Sequence, residues 1–329
     1  MRFFLLALVF ALLSSAGASA REQLNLHLAF SSRTPLYGTL ATRLVAEVAE
    51  RSGGRLRLRP HEPGAMVPRF GYLDAVAQGA VDAAWGTPAV LSGRAPEAAL
   101  FTGVPFGLDP AAHLSWVRDG AGRALYDSLY GRFGVIGLPC ASVGPDGLAW
   151  LQAPLDEAAP FRGLRVRAFG LPARILDALG AGSAIGFGAD LVVGLGTGAF
   201  DAAEASVPAA DVAFGLHKVA PVYLYPSPIQ PTTLLDLVIN GERWTRLSAD
   251  ARATLVAACG ATAEFAVTAN LEMDAIALRS IVEAGVAVSA PSDATVDKLR
   301  AAWREVRDQQ QSESASFAAV IRAYPLDGN

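Results

Sequence analysis

The sequence predicts an α/β fold in two lobes that face each other across a cleft. Strand-like and helix-like segments alternate as β-α-β-α-β in the first part of the chain, which argues for a mostly parallel sheet under helical cover. The order then recurs, and a phrase recurs with it: GAVDAAWG at 79–86 returns as GAFDAAEA at 198–205. A chain of 329 residues, 52% hydrophobic and 18% charged, is long and apolar enough for a core in each lobe.

The chain opens with MRFFLLALVFALLSSAGASA. Arg2, an apolar run from Phe3 to Leu13 and the small-x-small site Ala18-Ser19-Ala20 read as a secretory signal peptide cleaved near Ala20. The run is shorter than the roughly 20 apolar residues that span a bilayer. No Cys follows the site, which argues against a lipid anchor, and no later segment reads as long and apolar enough to cross a membrane. The expected location is therefore outside the cytoplasm, in the periplasm.

LNLHLAF at 24–30 alternates as a strand. Leu40, Leu44, Val45 and Val48 fall at helical spacing within 38–51, and Ser52-Gly53-Gly54 stops that helix. RLRLRP alternates again, 69–78 reads as a helix ending at Gly79, and AVDAAWG is a short strand. In the second round FRGLRVRAFG at 161–170 is a turn and strand, LPARILDALGA a helix, GADLVVGLGTG a short helix and AFDAAEA a strand. Each copy of the phrase follows a helix that ends on Gly and leads into a strand of small residues. Asp82 and Asp201 are expected to cap the turns. TLLDLVIN at 233–240 is a further strand, a long helix starts near Ser248, and VDKLRAAWREVRDQQQ is a charged amphipathic helix. The expected division is 1–20 as leader, 21–144 plus 233–272 as lobe 1, 145–232 plus 273–300 as lobe 2, and 301–329 as a C-terminal helical segment packing across both.

In parallel α/β sheets, ligands meet the carboxyl ends of the strands. Trp85 and Glu204, the differing residues of the repeated phrase, stand there. One lobe then offers an aromatic wall and the other a carboxylate; the alternative is a core Trp and a solvated Glu. The formal charge is −4 with no basic block, which argues against nucleic acid as a partner. Cys140 and Cys259 are the only cysteines. Export permits a disulfide, but two distant cysteines are no framework, and two buried thiols are the expectation. CxxC and HExxH zinc motifs are absent. An exported hydrolase or other enzyme is disfavoured: no GxSxG elbow occurs, and GLGTG at 194–198 lacks the spacing and the preceding strand of a dinucleotide loop.

Four segments in order resemble one family. SGGRLRLRPHEPGAMVP, FTGVPFGL, FRGLRVRAFGLPARILDALGA and GAFDAAEASVPAADVAFGLHKVAPVYLYP are similar to matching segments of DctP-type solute-binding proteins. These are the receptors of tripartite ATP-independent periplasmic (TRAP) transporters, and the last segment resembles the branch that binds 2-oxo acids. The resemblance, over about 24–310, implies a periplasmic-binding-protein fold with a hinge. It also implies closure on a small organic anion and delivery to a sodium-driven TRAP permease, by a protein that is not an enzyme. The family's substrate-carboxylate arginine falls on Arg167, and a guanidinium suits a carboxylate bidentately. A sensor or scavenging subunit of the same fold is the rival within the family, and the chain is expected to act as a monomer or homodimer.

The departures from the branch concern the other ligands. Asp146 stands where the branch carries a Gln, Ala205 where a Trp follows the Glu, and Gln230 where an acid is usual. In that branch the Gln at 146 and the Glu at 204, with the backbone carbonyl of the Trp at 205, help hold a metal ion beside the substrate carboxylate. Two readings stay open. Asp146 and Glu204, with Ala205 and Gln230, hold a cation such as Na+ or Ca2+ that the substrate carboxylate shares with Arg167; or the two acids face the ammonium group of a zwitterion. Either supplies the positive charge that two buried carboxylates need. Phe30, Tyr37, Trp85, Phe169 and Tyr225 are candidate walls.

Overall fold

The structure, a computed structural model, describes residues 22–186 and 189–325; the expected signal peptide lies outside them. The chain runs through β1 (Glu22–Leu28), α1 (Tyr37–Arg51), β2 (Leu56–His61), α2 (Tyr72–Ala77) and β3 (Ala83–Gly86). It continues through α3 (Ala98–Thr102), α4 (Pro110–Arg118), α5 (Arg123–Gly131), β4 (Val135–Val143), β5 (Ala149–Leu151) and β6 (Arg165–Arg167). Then come α6 (Gly170–Ala178), β7 (Gly182–Ala184), α7 (Ala189–Gly196), β8 (Ala202–Ala203), α8 (Pro208–Phe214) and β9 (Val222–Leu224). The last elements are β10 (Thr233–Asn240), α9 (Gly241–Arg246), α10 (Ala249–Glu283), β11 (Ala287–Ser289), α11 (Asp293–Glu313) and α12 (Ala315–Ala323).

Two sheets form. One has the order β2-β1-β3-β10-β4, the other β11-β9-β5-β8-β6-β7. The first sheet is less parallel than the sequence suggests, because β10 returns from the other lobe and runs antiparallel to both β3 and β4. All eight residues of β10 are buried, as a central strand covered on both faces must be. The long helix α10 joins the lobes: it packs on α1 and β4 at one end and on α8 and β11 at the other. Ser248 caps it, its side chain accepting from the Ala251 N–H. By length and composition α10 is apolar enough to span a membrane, contrary to the sequence expectation. Its inward residues, among them Leu255, Ala258, Ala266 and Ile281, are buried in the protein. The C-terminal helices continue across the molecule, α11 against α6 and α12 against α3.

Cys140 on β4 and Cys259 on α10 form a disulfide, not the two free thiols expected. The packing of α10 on β4 brings their Cα atoms to 4.1 Å, a proximity invisible across a sequence separation of 119.

The repeated phrase is one device used twice. Gly79 and Gly198 both take the left-handed conformation, at φ 74° and 72°, just past the ends of α2 and α7. The aspartates do not cap the turns; each reaches to the neighbouring parallel strand. Asp82 accepts from the Asn25 N–H on β1 at 2.7 Å, and Asp201 from the Arg165 N–H on β6 at 2.9 Å. The alanines that follow, Ala83 and Ala84 in β3 and Ala202 and Ala203 in β8, are fully buried.

Candidate functional site

A cavity of about 350 Å³ opens between the lobes. It lies where the ends of β1, β3, β6 and β8 converge, as expected at the carboxyl ends of parallel strands. The first lobe lines it with Phe30, Tyr37, Arg69 and Phe70, the second with Arg167, Phe169, Glu204 and Ala205, and the crossing segments with Asp146 and Gln230.

Arg167 ends β6 and is 7% exposed. Its Nε donates to the Gly186 carbonyl at 2.6 Å and its Nη1 to the Glu204 carbonyl at 2.5 Å. The Glu204 carboxylate stands 3.7 Å from Nη1 and is itself 5% exposed. Burial pushes that carboxyl up to about 7, against the opposing pull of the Arg167 charge and of the Phe169 N–H.

Asp146 sits on a segment crossing between lobes. Its N–H donates to the Gln230 carbonyl and its own carbonyl accepts from Ser227 N–H. Burial raises its carboxyl well above the usual range, and the charges of Glu204 and Asp274 raise it further. The Thr233 hydroxyl lies against the carboxylate, but Oδ1 is buried with no hydrogen-bond partner among the described residues. Behind it stand Asp211, bonded to Trp150 Nε1, and Asp274, bonded to the Ala209 N–H. Burial raises both, Asp274 to about 6. This end of the cavity thus concentrates carboxylates beside Arg167, the one buried arginine among the described residues, and uncompensated buried charge of that kind is unfavourable.

Gln230 is 8% exposed and its Nε2 donates to the Thr232 carbonyl at 2.7 Å, which leaves the amide oxygen without a donor among the described residues. Gly103 makes room for this: a Cβ there would stand 2.2 Å from the Thr232 carbonyl and 3.0 Å from Gln230 Nε2. Among the described residues no three His, Cys, Asp or Glu side chains gather as a metal site. The donors at hand are hard oxygens of mixed type: the Asp146 and Glu204 carboxylates, the Gln230 amide and the Ala205 carbonyl. Such a set, with a buried oxygen lacking a partner, suits Na+ or Ca2+.

The cavity therefore gathers Arg167, Asp146, Glu204, Ala205, Gln230, Phe30, Phe169 and Tyr37. Trp85 is not among them. It is fully buried in the core of the first lobe, its Nε1 donating to the Tyr37 carbonyl at 3.0 Å. Strand β3 lies inside the sheet, with its side chains covered from both sides, so Trp85 supports the cavity wall from behind. Tyr225 also lies outside the lining; its ring stacks on Tyr223 at 5.9 Å. Sequence reasoning missed Arg69, Phe70, Ser206, Ile185, Phe214 and Thr233. Ser206 directly follows Ala205 and was within reach. Arg69 follows GAMVP on a loop whose course is set only by tertiary contacts.

The profile of the family described as bacterial extracellular solute-binding protein, family 7 (DctP), matches residues 27–314. A monocarboxylate 2-oxoacid-binding periplasmic protein of Nostoc sp. is 29% identical over 287 residues, 86% of this chain and 78% of that one. A TRAP transporter solute-binding protein of Bordetella bronchiseptica, with copurified calcium and picolinate, superposes with TM-score 0.85 at 24% identity. The match covers 92% of this chain and 90% of that one. One from Pseudoalteromonas atlantica with bound sodium and pyruvate gives TM-score 0.87 at 22% identity, covering 92% and 93%. With a family match that spans nearly all of both lobes, this chain belongs to the DctP family of bacterial extracellular solute-binding proteins.

Proposed function

We propose that this chain is an exported receptor that binds a small organic carboxylate, with a cation beside it, and delivers it to a TRAP permease. Residues 1–20 act as the signal that places it in the periplasm. The observation that carries the reading is the buried Arg167 facing the same cavity as Asp146, whose Oδ1 has no partner, and Glu204. The Nostoc relative's 2-oxo acids, and the pyruvate and picolinate of the two structures above, are acids of this class.

Arg167 supplies hydrogen-bond donors and fixed charge to the substrate carboxylate. Its Nε and Nη1 are already anchored on Gly186 and Glu204, so the guanidinium is oriented before the ligand arrives. Hydrogen bonds to charged groups contribute about 1.5–3 kcal/mol each. Micromolar affinity needs about 8 kcal/mol. One arginine is not enough, so exclusion of water on closure and the aromatic walls must supply the rest. A cation held by Asp146, Glu204, Gln230 and the Ala205 carbonyl would add charge attraction to the same carboxylate. The lobes are joined by several strand crossings and by α10, the architecture of a hinge.

The test is calorimetry of the mature chain with pyruvate, before and after chelation in sodium-free buffer. Binding should fall on chelation and return with calcium or sodium. Full binding in the stripped protein would remove the cation, and preference for amino acids over plain carboxylates would turn the two acids toward an ammonium group instead.

A further inference from the structure

The cavity holds a second arginine. Arg69 lines it from the first lobe, on the loop between β2 and α2. Among the described residues its guanidinium meets no carboxylate; it lies 5.9 Å from the centre of the Phe70 ring, within cation–π range. Its backbone is fixed. The Arg69 carbonyl accepts from Nε2 of His27 at 3.1 Å, and His27 is fully buried on β1. The Gly71 N–H donates to the Pro68 carbonyl and closes the turn. Arg69 thus lines the cavity from a braced backbone, half-buried and with no carboxylate partner among the described residues.

The rest of the lining is apolar and large. Phe30 and Phe70 come from the first lobe, Phe169, Ile185 and Phe214 from the second. Ile185 is 65% exposed and Phe214 36% exposed although both face the cavity, so they present apolar surface that a ligand body would cover. A cavity of about 350 Å³ falls in the range of pockets that enclose drug-sized ligands, more than a three-carbon acid fills.

We propose that Arg69 is a second anion-recognising group of the site, and that the preferred ligand is a dicarboxylate with an aromatic or similarly bulky apolar body. One carboxylate is directed to Arg167 and the other to Arg69. The inference rests on the carboxylate reading above and narrows it.

Calorimetry on the mature chain in calcium buffer, with pyruvate, malonate, benzoate and phthalate, tests it in wild type, Arg69→Ala and Arg69→Lys. Phthalate should bind tightest to wild type. Arg69→Ala should weaken phthalate and malonate about ten- to a hundredfold, as loss of a charged hydrogen bond implies, and leave pyruvate and benzoate within about threefold. Arg69→Lys should recover part of the loss, and the ligand-free thermal midpoints should coincide. If Arg69→Ala weakens all four acids alike, or none, Arg69 does not read a second charge. If malonate binds wild type more tightly than phthalate, the bulky body is wrong. If wild type binds no carboxylate at all, the receptor reading itself falls and takes this inference with it.

Discussion

Arg167 and Glu204 hold each other through their backbones as well as their charges. The Glu204 N–H donates to the Arg167 carbonyl at 2.9 Å, while Arg167 Nη1 donates to the Glu204 carbonyl at 2.5 Å. The two residues extend the β6–β8 ladder by one step beyond the last strand pair, Arg167 with Ala203. The arginine is therefore a rigid part of the second lobe's sheet, not a mobile surface charge.

Replacing Arg167 separates geometry from charge. Arg167→Lys keeps a cation beside Glu204 but loses the planar fork, so carboxylate affinity should fall at least about tenfold with little change in ligand-free stability. Arg167→Ala should also destabilise the ligand-free protein, by about 3 kcal/mol, because Glu204 is left buried without a counter-charge. Denaturant titration and calorimetry on both variants measure this; equal affinity in Arg167→Lys would contradict the bidentate role.

Asp146→Asn should raise the thermal midpoint of the ligand-free, chelated protein at pH 8, since it removes a buried carboxylate whose Oδ1 has no partner. The same change should abolish any response of ligand affinity to calcium. A lowered midpoint together with intact calcium dependence would place the cation elsewhere.

Stability of the stripped protein should fall as pH rises. Burial holds Glu204 at about 7, and Asp236 and Asp274 at about 6, above the ordinary values of 4.5 and 3.8. Between the ordinary and the raised values the folded chain binds more protons than the unfolded one, so stability declines through about pH 4–7. For Glu204 alone the loss is on the order of 3 kcal/mol. Added calcium should offset it at pH 8 and do little at pH 5. A thermal midpoint that climbs from pH 5 to 8 under chelation would contradict the burial of these acids.

Ala205→Trp should narrow the cavity. Ala205 lines it beside Glu204, and an indole there would occupy space now open to the ligand body. Benzoate should lose at least about tenfold in affinity while pyruvate is kept, since the backbone carbonyl at 205 survives. Equal loss of both acids would mean that the indole blocks the carboxylate end itself.

Exchanging both Cys140 and Cys259 for Ala should lower stability by about 2–5 kcal/mol, read from the denaturant midpoint, because the bond closes a long loop in the unfolded chain. An unchanged midpoint would mean that helix packing alone joins β4 to α10.

Much of the candidate site was legible through the resemblance to the DctP family, whose motifs put its key positions on short local patterns. Arg167 closes the alternating GLRVR, and Glu204 follows the DAA whose Asp201 pins the strand. Helix boundaries such as Ser248 and the glycines at 79 and 198 are local chemistry too. Trp85 was misplaced because the repeat tells which positions correspond, not which face of each sheet is covered. The disulfide and the return of β10 were illegible because both depend on segments far apart in the chain.

By itself the sequence determined the two-lobed α/β order and the paired turn-and-strand device, since periodicity, glycine conformation and strand alternation act over a few residues, and its resemblance to the family pointed to the arginine and acids of the second lobe. Only the tertiary structure decided that Arg69 shares one cavity with Arg167, Asp146 and Gln230, that Trp85 stands behind it, and that Cys140 meets Cys259. Those relations arise where long crossings bring distant segments together, and burial there, not local pattern, sets which charges need a partner.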